Sequence, residues 1–358
     1  MKVHFNHINF AINSTPLHSE RVSLPAIKKD QNTEYTVLPN TTYLASLPNI
    51  NFKGGKQLLH RQAKHFRCAY TGLPLLPKKE FLALSEKLSK RPNAQSTINL
   101  LNNYQPYMGE VEEYAFETFK EKKYQCKRSF QEVLIDLLPD SLPRLKEKQL
   151  EVLNGSKNII YRMSEDTAIK VNEIIEECKK RIKDDSFRRQ YPLDELDKLG
   201  HGTFDRVHVE DLYKKWYQEL PSTSNNFDAF VVKYAKKGHN CIANRLISTA
   251  EATVDDITPL AKIKEECEEK GKQVDIGLEN YLLVRAGVNH IRHNLRLRKF
   301  IWLNDKIDFE SNLERYAKTA SRLAKDPRSE LSYEPDYAKK IAKRIKDETS
   351  GDIILNVE

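Results

Sequence analysis

Three separated blocks of the sequence carry polar side chains that could perform chemistry. The first is the segment Cys68–Gly72, the second is Val254–Pro259 with two adjacent aspartates, and the third, residues 279–294, holds asparagines and histidines. Carboxylate oxygens, amide oxygens and imidazole nitrogens are ligand types for divalent metals. Taken singly, each block also has a purely structural interpretation: a buried thiol, a solvated strand end before a capped helix, and ordinary surface positions on a helix.

The order of the three blocks resembles the HNH nuclease family, and especially the nuclease domain of RNA-guided CRISPR effectors. Members of that family run from a C-x-Y-[TS]-G turn to a strand that ends in Asp-His-x-x-Pro, then to a loop asparagine and a helix that begins near another asparagine. Cys68–Gly72 matches the turn, and Val254–Pro259 matches the strand. Asn280 matches the loop asparagine and Asn289 the helix asparagine. Residues 78–239 lie outside the resemblance.

The resemblance implies a ββα-metal core and metal-dependent hydrolysis of DNA phosphodiester bonds. A divalent cation, Mg²⁺ by preference, would stabilise charge on the scissile phosphate while a base deprotonates the attacking water. Asp255 and Asn289 would hold the cation, and His293 would add a further ligand. Asn280 would orient the residue at the base position. No structural zinc is expected, because the five cysteines include no CxxC pair.

Asp256 is the main departure from the family, since it stands where the catalytic histidine is found. An aspartate carboxyl has a pKa of about 4, against about 6.5 for histidine, so an ionised Asp256 would accept a proton with less driving force. It would alternatively join the metal ligands, or mark a site that has lost catalysis. The sequence therefore leaves open an active endonuclease and an inactive descendant that binds nucleic acid or protein. A helical interaction protein unrelated to nucleases is a further alternative.

A helix expected over residues 289–302 would present a basic face beside these ligands. Val288, Ile291 and Leu295 recur at helical spacing and form an apolar stripe, with a polar stripe next to it. Five basic residues on this helix and around it are assigned to contacts with backbone phosphates: Arg285, Arg292, Arg296, Arg298 and Lys299.

The composition is typical of a basic and mostly helical protein. Lys and Arg number 59 against 51 Asp and Glu, and the resulting net charge of +8 suits a polyanionic partner such as nucleic acid, here DNA. Glycine is scarce, at 12 residues, which favours helix over sheet. No apolar run approaches the roughly 20 residues that span a bilayer, and the N-terminus lacks the apolar segment of a secretory signal. We therefore expect a cytoplasmic protein with no membrane partner, although export by another route stays open.

Turn residues divide the chain into parts of different character. Residues 1–56 are predicted to be a disordered or extended tail, 78–239 a helical insertion, and 306–358 a helical C-terminal region. An α+β core of HNH type would be assembled from residues 57–77 and 240–305.

Finer boundaries are also predicted. A break is expected at Pro139, and a strand or hairpin arm over Arg245–Ile257. Amphipathic spacing predicts helices at Phe81–Leu88, Val111–Lys122, Phe130–Leu137, Ala168–Ile182, Val209–Leu220, Phe227–Lys237, Pro259–Lys272, Phe309–Leu323 and Tyr337–Asp347.

Overall fold

The computed structural model describes residues 52–91, 93–122, 128–270 and 277–357. This part of the chain is mostly α-helical and contains a two-stranded antiparallel sheet, which confirms the expected mostly helical α+β class. Residues 1–51 of the expected tail lie outside the described residues. The first helix begins at Phe52, inside the stretch that the sequence assigned to the tail.

The strands are β1 (Ala252–Asp256) and β2 (Tyr281–Arg285). The helices are α1 (Phe52–Gln62), α2 (Lys78–Ser89), α3 (Ala94–Leu101), α4 (Glu110–Lys122), α5 (Phe130–Asn154), α6 (Lys157–Ile160), α7 (Glu165–Lys183), α8 (Gln190–Gly200), α9 (Arg206–Glu219), α10 (Phe227–Tyr234), α11 (His239–Ser248), α12 (Leu260–Lys270), α13 (Ala286–Arg292), α14 (Leu297–Leu303), α15 (Phe309–Lys325) and α16 (Tyr337–Glu348).

Most helices lie where the apolar spacing predicted them, and α15 illustrates the reason. Phe309, Leu313 and Ala320 fall on one face and are buried, while charged residues occupy the opposite face. The Asp308 side chain accepts a hydrogen bond from the backbone N–H of Ser311 (3.1 Å) and so caps the first turn. An apolar stripe and a polar cap therefore define this helix together.

The break expected at Pro139 is wrong, because α5 continues for 25 residues through both Pro139 and Pro143. Each proline removes one helical N–H, which leaves the carbonyl four residues earlier without its usual partner. Ile135, Pro139 and Pro143 all lie on the exposed side of α5. The freed carbonyls of residues 135 and 139 therefore face water, and the helix tolerates the loss.

The strand expected over Arg245–Ile257 is only partly present. α11 runs to Ser248, and β1 covers Ala252–Asp256. Ile242, Leu246 and Ile247 are buried at helical spacing against neighbouring helices. A short apolar run such as the one that begins at Leu246 is compatible with a helix or a strand, and its packing against the neighbouring helices favours the helix.

The single helix expected over residues 289–302 is also wrong, since α13 ends at Arg292 and α14 starts at Leu297. His293 adopts a positive φ of 43° between them. In one straight helix, Leu297 would lie about 140° around the axis from Arg292. Both side chains are buried, and the break allows each to reach the interior.

The buried apolar residues form three clusters. The first combines α1, the 66–75 segment, the sheet and α13–α16 with the C-terminal residues. The second is built on α2–α4, the start of α5, α10 and α11, and the third on the end of α5 and α6–α9. α5, about 37 Å long at 1.5 Å per residue, extends from the second cluster to the third. The C-terminal helices thus share their core with the sheet.

Candidate functional site

The first block folds as a tight turn, Cys68–Gly72, that packs against the sheet. The Cys68 N–H donates to the Leu73 carbonyl, and the Ala69 N–H donates to Leu283 of β2 (3.0 Å). Gly72 has a positive φ of 65°, and a Cβ there would lie 2.3 Å from the Asn312 side chain on α15. Glycine is therefore required both by the turn and by the close approach of α15.

The second and third blocks pair in the register of an antiparallel hairpin. Ala252 lies opposite Arg285, and Asp256 lies opposite Tyr281. α13 follows β2 directly, so the polypeptide order is strand, strand, helix, with α12 inserted between the strands. The chain thus brings the separated blocks that share the resemblance into mutual contact.

Asn289 on α13 faces β1 through its amide nitrogen. Nδ2 lies 3.2 Å from Thr253 Oγ1 and 3.2 Å from the Val254 carbonyl oxygen. One helical turn later, Arg292 reaches the adjacent residues of β1. Because successive contacts on the helix match successive residues of the strand, α13 is fixed in its rotation against β1.

Asp255 is the buried centre of this interface. Its Oδ2 accepts a hydrogen bond from the Tyr70 hydroxyl of the turn (2.8 Å) and forms an ion pair with the Arg292 guanidinium. The same guanidinium donates to the carbonyl oxygens of Asp256 and Ile257. Arg292 is fully buried, at 0% exposure. Although burial alone would lower the pKa of Arg292, Tyr70 and Asp255 beside it raise it, so the guanidinium stays charged.

Asp256 occupies a different environment at the end of β1. Its carboxylate is partly exposed and forms an ion pair with Lys56 of α1, with 3.3 Å between Oδ1 and Nζ. Burial raises the pKa of Asp256, and the Lys56 charge offsets only part of that effect. The Lys56 ammonium also lies 4.6 Å from the centre of the Tyr281 ring. Asp256 is therefore held at the edge of the interface by a lysine.

Asn280 is buried and bonded at both ends of its side-chain amide to one residue. Oδ1 accepts from the Thr258 N–H (2.9 Å), and Nδ2 donates to the Thr258 carbonyl (3.0 Å). The Asn280 carbonyl also accepts from the Ile257 N–H (2.7 Å). The Asn280 side chain therefore holds the backbone at Thr258, just beyond β1 and two residues after Asp256.

The remaining predicted residues separate into buried and exposed positions. His293 is exposed at the end of α13. Arg285 is buried and donates to the Tyr107 carbonyl (2.6 Å), so neither it nor the buried Arg292 presents its charge at the surface as the phosphate-contact hypothesis requires. Arg298 pairs with Asp352, and Lys299 pairs with Asp197.

Arg296, Arg298 and Lys299 line a cleft of about 710 Å³ between α8, α9 and α14. The cleft is remote in sequence from the turn and β1. The basic residues that the sequence grouped on one helix face are therefore divided between the protein interior and this cleft.

The arrangement around Asp255 does not fit a bound divalent cation. A guanidinium and a phenol hydroxyl already bond Oδ2 of the carboxylate, so a positive charge stands beside it, and the amide donor of Asn289 is directed at β1. Across the described ranges, no three or more His, Cys, Asp or Glu side chains are grouped so that they could hold a metal ion. The metal-ligand roles expected for Asp255, Asn289 and His293 stay predictions that this geometry does not support.

Comparison of the chain with protein-family models, with curated proteins and with solved structures finds no match. None of the helices in the described part has both the length and the apolar character needed to cross a membrane.

Two residues at the site were not singled out from the sequence. Tyr70 lies within the turn motif, but its hydroxyl partner is Asp255, far along the chain. Lys56 lies at the boundary of the expected tail and reaches Asp256 because α1 packs on the sheet. Of these two residues, only Tyr70 could have been predicted from the sequence, because a phenol hydroxyl that is buried in a motif needs a polar partner.

Proposed function

We propose that this chain is a nucleic-acid-binding protein whose strand–strand–helix unit is structural rather than hydrolytic. One observation carries the proposal: the Arg292 guanidinium binds the Asp255 carboxylate where the resemblance would place a metal ion. The net charge of +8 supports a polyanionic partner, for which DNA is the first candidate.

The physical argument rests on the strength of a buried charge-assisted contact. Both terminal nitrogens of the Arg292 guanidinium donate hydrogen bonds, Nη1 to Asp255 and the Asp256 carbonyl and Nη2 to the Ile257 carbonyl. A metal cation would have to displace this buried charge from its carboxylate partner, which is costly. The unit would then keep the architecture implied by the resemblance while its acidic residue stabilises the fold.

Metal-dependent hydrolysis of DNA is the competing function, and one observation favours it. Asp256 is partly exposed and its pKa is raised, which moves the carboxylate towards the range of a useful general base. Under this alternative the partly exposed carboxylate, rather than Asp255, would carry the chemistry.

A binding and cleavage assay separates the two functions. Wild-type protein and the variants Asp256→His and Asp256→Asn are incubated with plasmid DNA and Mg²⁺ or Mn²⁺, and binding is measured on a labelled duplex. We expect all three proteins to bind and none to cut, because Arg292 is unchanged in each. Cutting by the wild type that Asp256→Asn abolishes would establish the nuclease. If the wild type neither binds nor cuts, both functions fail and a helical protein-interaction role is left.

A further inference from the structure

The outer surface of α15 carries a concentration of positive charge that the predicted site does not include. Arg315, Lys318 and Arg322 are exposed and recur at i, i+3 and i+7, so they lie along one side of the helix over about 10 Å. They line a shallow depression of about 430 Å³. Lys64 and Arg67, exposed before the turn, extend this surface, and we refer to these five residues as the α15 basic face.

The turn joins the two parts of the α15 basic face. Arg67 donates to the Gly72 carbonyl (3.1 Å). A Cβ at Gly72 would lie 3.1 Å from Nη1 of Arg315, which places that guanidinium directly over the turn. Asn312 of α15 also donates to the Tyr70 carbonyl (2.8 Å). Arg67 and Arg315 therefore both lie against the turn at Gly72.

The other end of the face is joined through His65. Burial lowers the pKa of His65, and the positive charges of Lys64 and Arg322 lower it further, against an opposing effect of Asp326. The imidazole thus lies within the electrostatic reach of both cations. Lys64 and Arg322 therefore act on the same imidazole, together with the opposing charge of Asp326.

The charge of this face is poorly compensated within the protein. Glu314 pairs with Lys318, whereas Lys64, Arg67 and Arg322 form no ion pair with a carboxylate in the described part of the chain. The cleft between α8, α9 and α14 differs, because its Arg206, Arg298 and Lys299 pair with Glu210, Asp352 and Asp197. An anionic partner would gain more at the α15 basic face than at the cleft.

The chemistry of the face favours a phosphodiester backbone over a lipid surface. A helix that lies on a membrane buries its apolar side among the lipids. The apolar side of α15, including Leu313 and Tyr316, is already packed in the first cluster. Three cations, the hydroxyls of Ser311 and Thr319, and one carboxylate, Glu314, line the outward depression. Cationic and hydroxyl groups are those that bind backbone phosphates.

We propose that the α15 basic face is the surface on which this protein holds the phosphate backbone of nucleic acid. This inference rests on the proposed nucleic-acid-binding function and assigns that function to α15 and the adjoining turn. Contacts to phosphates release condensed counterions, so binding here is expected to weaken steeply with salt and to depend little on base sequence.

The test compares two triple variants that remove equal charge from neighbouring exposed helices. One is Arg315→Gln/Lys318→Gln/Arg322→Gln on α15, and the control is Lys339→Gln/Lys340→Gln/Lys343→Gln on α16. Affinity for a short labelled DNA duplex, and for the RNA duplex of the same sequence, is measured over a range of salt. Three phosphate contacts contribute about 2.7 to the slope of log affinity against log salt. The α15 variant should lose that slope and bind about 100-fold more weakly at near-physiological salt, and the control much less.

Each outcome decides a separate question. If the wild type binds nucleic acid and the α15 variant binds as tightly with the same slope, this surface assignment is overturned while the proposed function stands. If the wild type binds neither duplex, the proposed function fails and the assignment fails with it. If the wild type instead binds phosphatidylcholine vesicles that contain phosphatidylserine, and only through α15, the partner class is wrong. Circular dichroism on both variants confirms that the helices remain folded.

Discussion

The interface between β1 and α13 and the α15 basic face both contain arginines, but the two regions use them in opposite ways. Arg292 is buried and bonded to a carboxylate and two carbonyls of its own chain. Arg322 is exposed, and in the part of the chain that the structure describes it forms no ion pair with a carboxylate. The first arginine stabilises the fold, and the second is available to a partner. The motif in the sequence thus points to Arg292, which is structural. Solvent exposure, which only the structure shows, points to Arg322 as the arginine available for binding.

This difference predicts two separable effects of mutation. Removing one partner of a buried ion pair leaves an uncompensated charge in the interior, which typically lowers stability by about 3–5 kcal/mol. Removing an exposed charge usually changes stability by less than about 0.5 kcal/mol. Variants at Arg292 should therefore change unfolding, and variants at Arg322 should change binding.

The largest effect is expected from Arg292→Met. The substitution leaves the buried Asp255 carboxylate without its counter-ion, and the free energy of unfolding should fall by about 3–5 kcal/mol. Urea unfolding followed by circular dichroism measures the loss. The slope of DNA affinity against salt should not change, because Arg292 is not at the surface.

A matched double variant checks the cause. In Asp255→Asn combined with Arg292→Met, the interior carries no unpaired charge and Tyr70 keeps an acceptor, so part of the lost stability should return. A single variant as stable as the wild type would contradict the structural role of the pair. A single variant that loses DNA binding while remaining folded would instead place Arg292 in the binding surface and remove the contrast between the two regions.

A smaller loss is expected from Tyr70→Phe. The Tyr70 hydroxyl donates to Asp255 in the interior, and a hydrogen bond to a charged group contributes about 1.5–3 kcal/mol. Arg292 still compensates the carboxylate in this variant, which is why the effect stays below that of Arg292→Met. Tyr316→Phe, which removes another buried phenol hydroxyl without touching Asp255, serves as the control in the same unfolding experiment.

The sequence predicted the elements of this interface better than their partners. Helical spacing located α7, α9 and α15, and the order of the three blocks anticipated that the Cys68–Gly72 turn meets the hairpin. What the pattern could not supply was the rotation of α13 about its axis. The polar stripe of that helix contains both Asn289 and Arg292, and spacing alone does not distinguish a stripe that faces solvent from one that faces β1.

The α15 basic face was missed for a related reason. Its helix was predicted, but no pattern in the sequence places Arg67 and Arg315 against the same turn, because that placement depends on the packing of the turn under α15 at Gly72. The break predicted at Pro139 was wrong because proline has a low helix propensity, whereas the outcome depends on whether the freed carbonyl is exposed to solvent. Long-range packing and exposure, rather than local pattern, account for these failures.

A modest effect on binding is expected from Glu314→Gln. Glu314 is the carboxylate among the residues that line the α15 depression, and it pairs with Lys318 at 2.8 Å. Its removal frees Lys318 and takes a negative charge away from the phosphate surface. DNA affinity should therefore rise about two-fold, since exposed ion pairs of this kind contribute about 0.3–0.5 kcal/mol. Glu310→Gln, one helical turn earlier and outside the depression, is the control. Equal gains from both variants would show that the effect comes from overall charge and not from this face.

The smallest effect, and the most local one, concerns the protonation of His65. Burial and then Lys64 and Arg322 lower its pKa in the free protein. Bound phosphates place negative charge beside these cations, so the pKa of His65 should rise on addition of DNA. The DNA-bound protein then holds more protons at His65 than the free protein does. DNA affinity should therefore increase as the pH falls from the higher pKa of the bound state to the lower pKa of the free state.

His239 provides the internal control for this measurement. Its pKa is lowered by burial alone, and its ring bonds to Thr97 and the Phe130 N–H in the second cluster, away from α15. In an NMR titration with a short DNA duplex, the His65 curve should move to higher pH while the His239 curve stays in place. The Arg315→Gln/Lys318→Gln/Arg322→Gln variant should show a higher His65 pKa without DNA, because one repelling cation is gone, and little further change with DNA. Equal movement of both histidines would mean that DNA acts on the protein as a whole, and the contrast between a buried structural arginine and an exposed binding face would lose its experimental support.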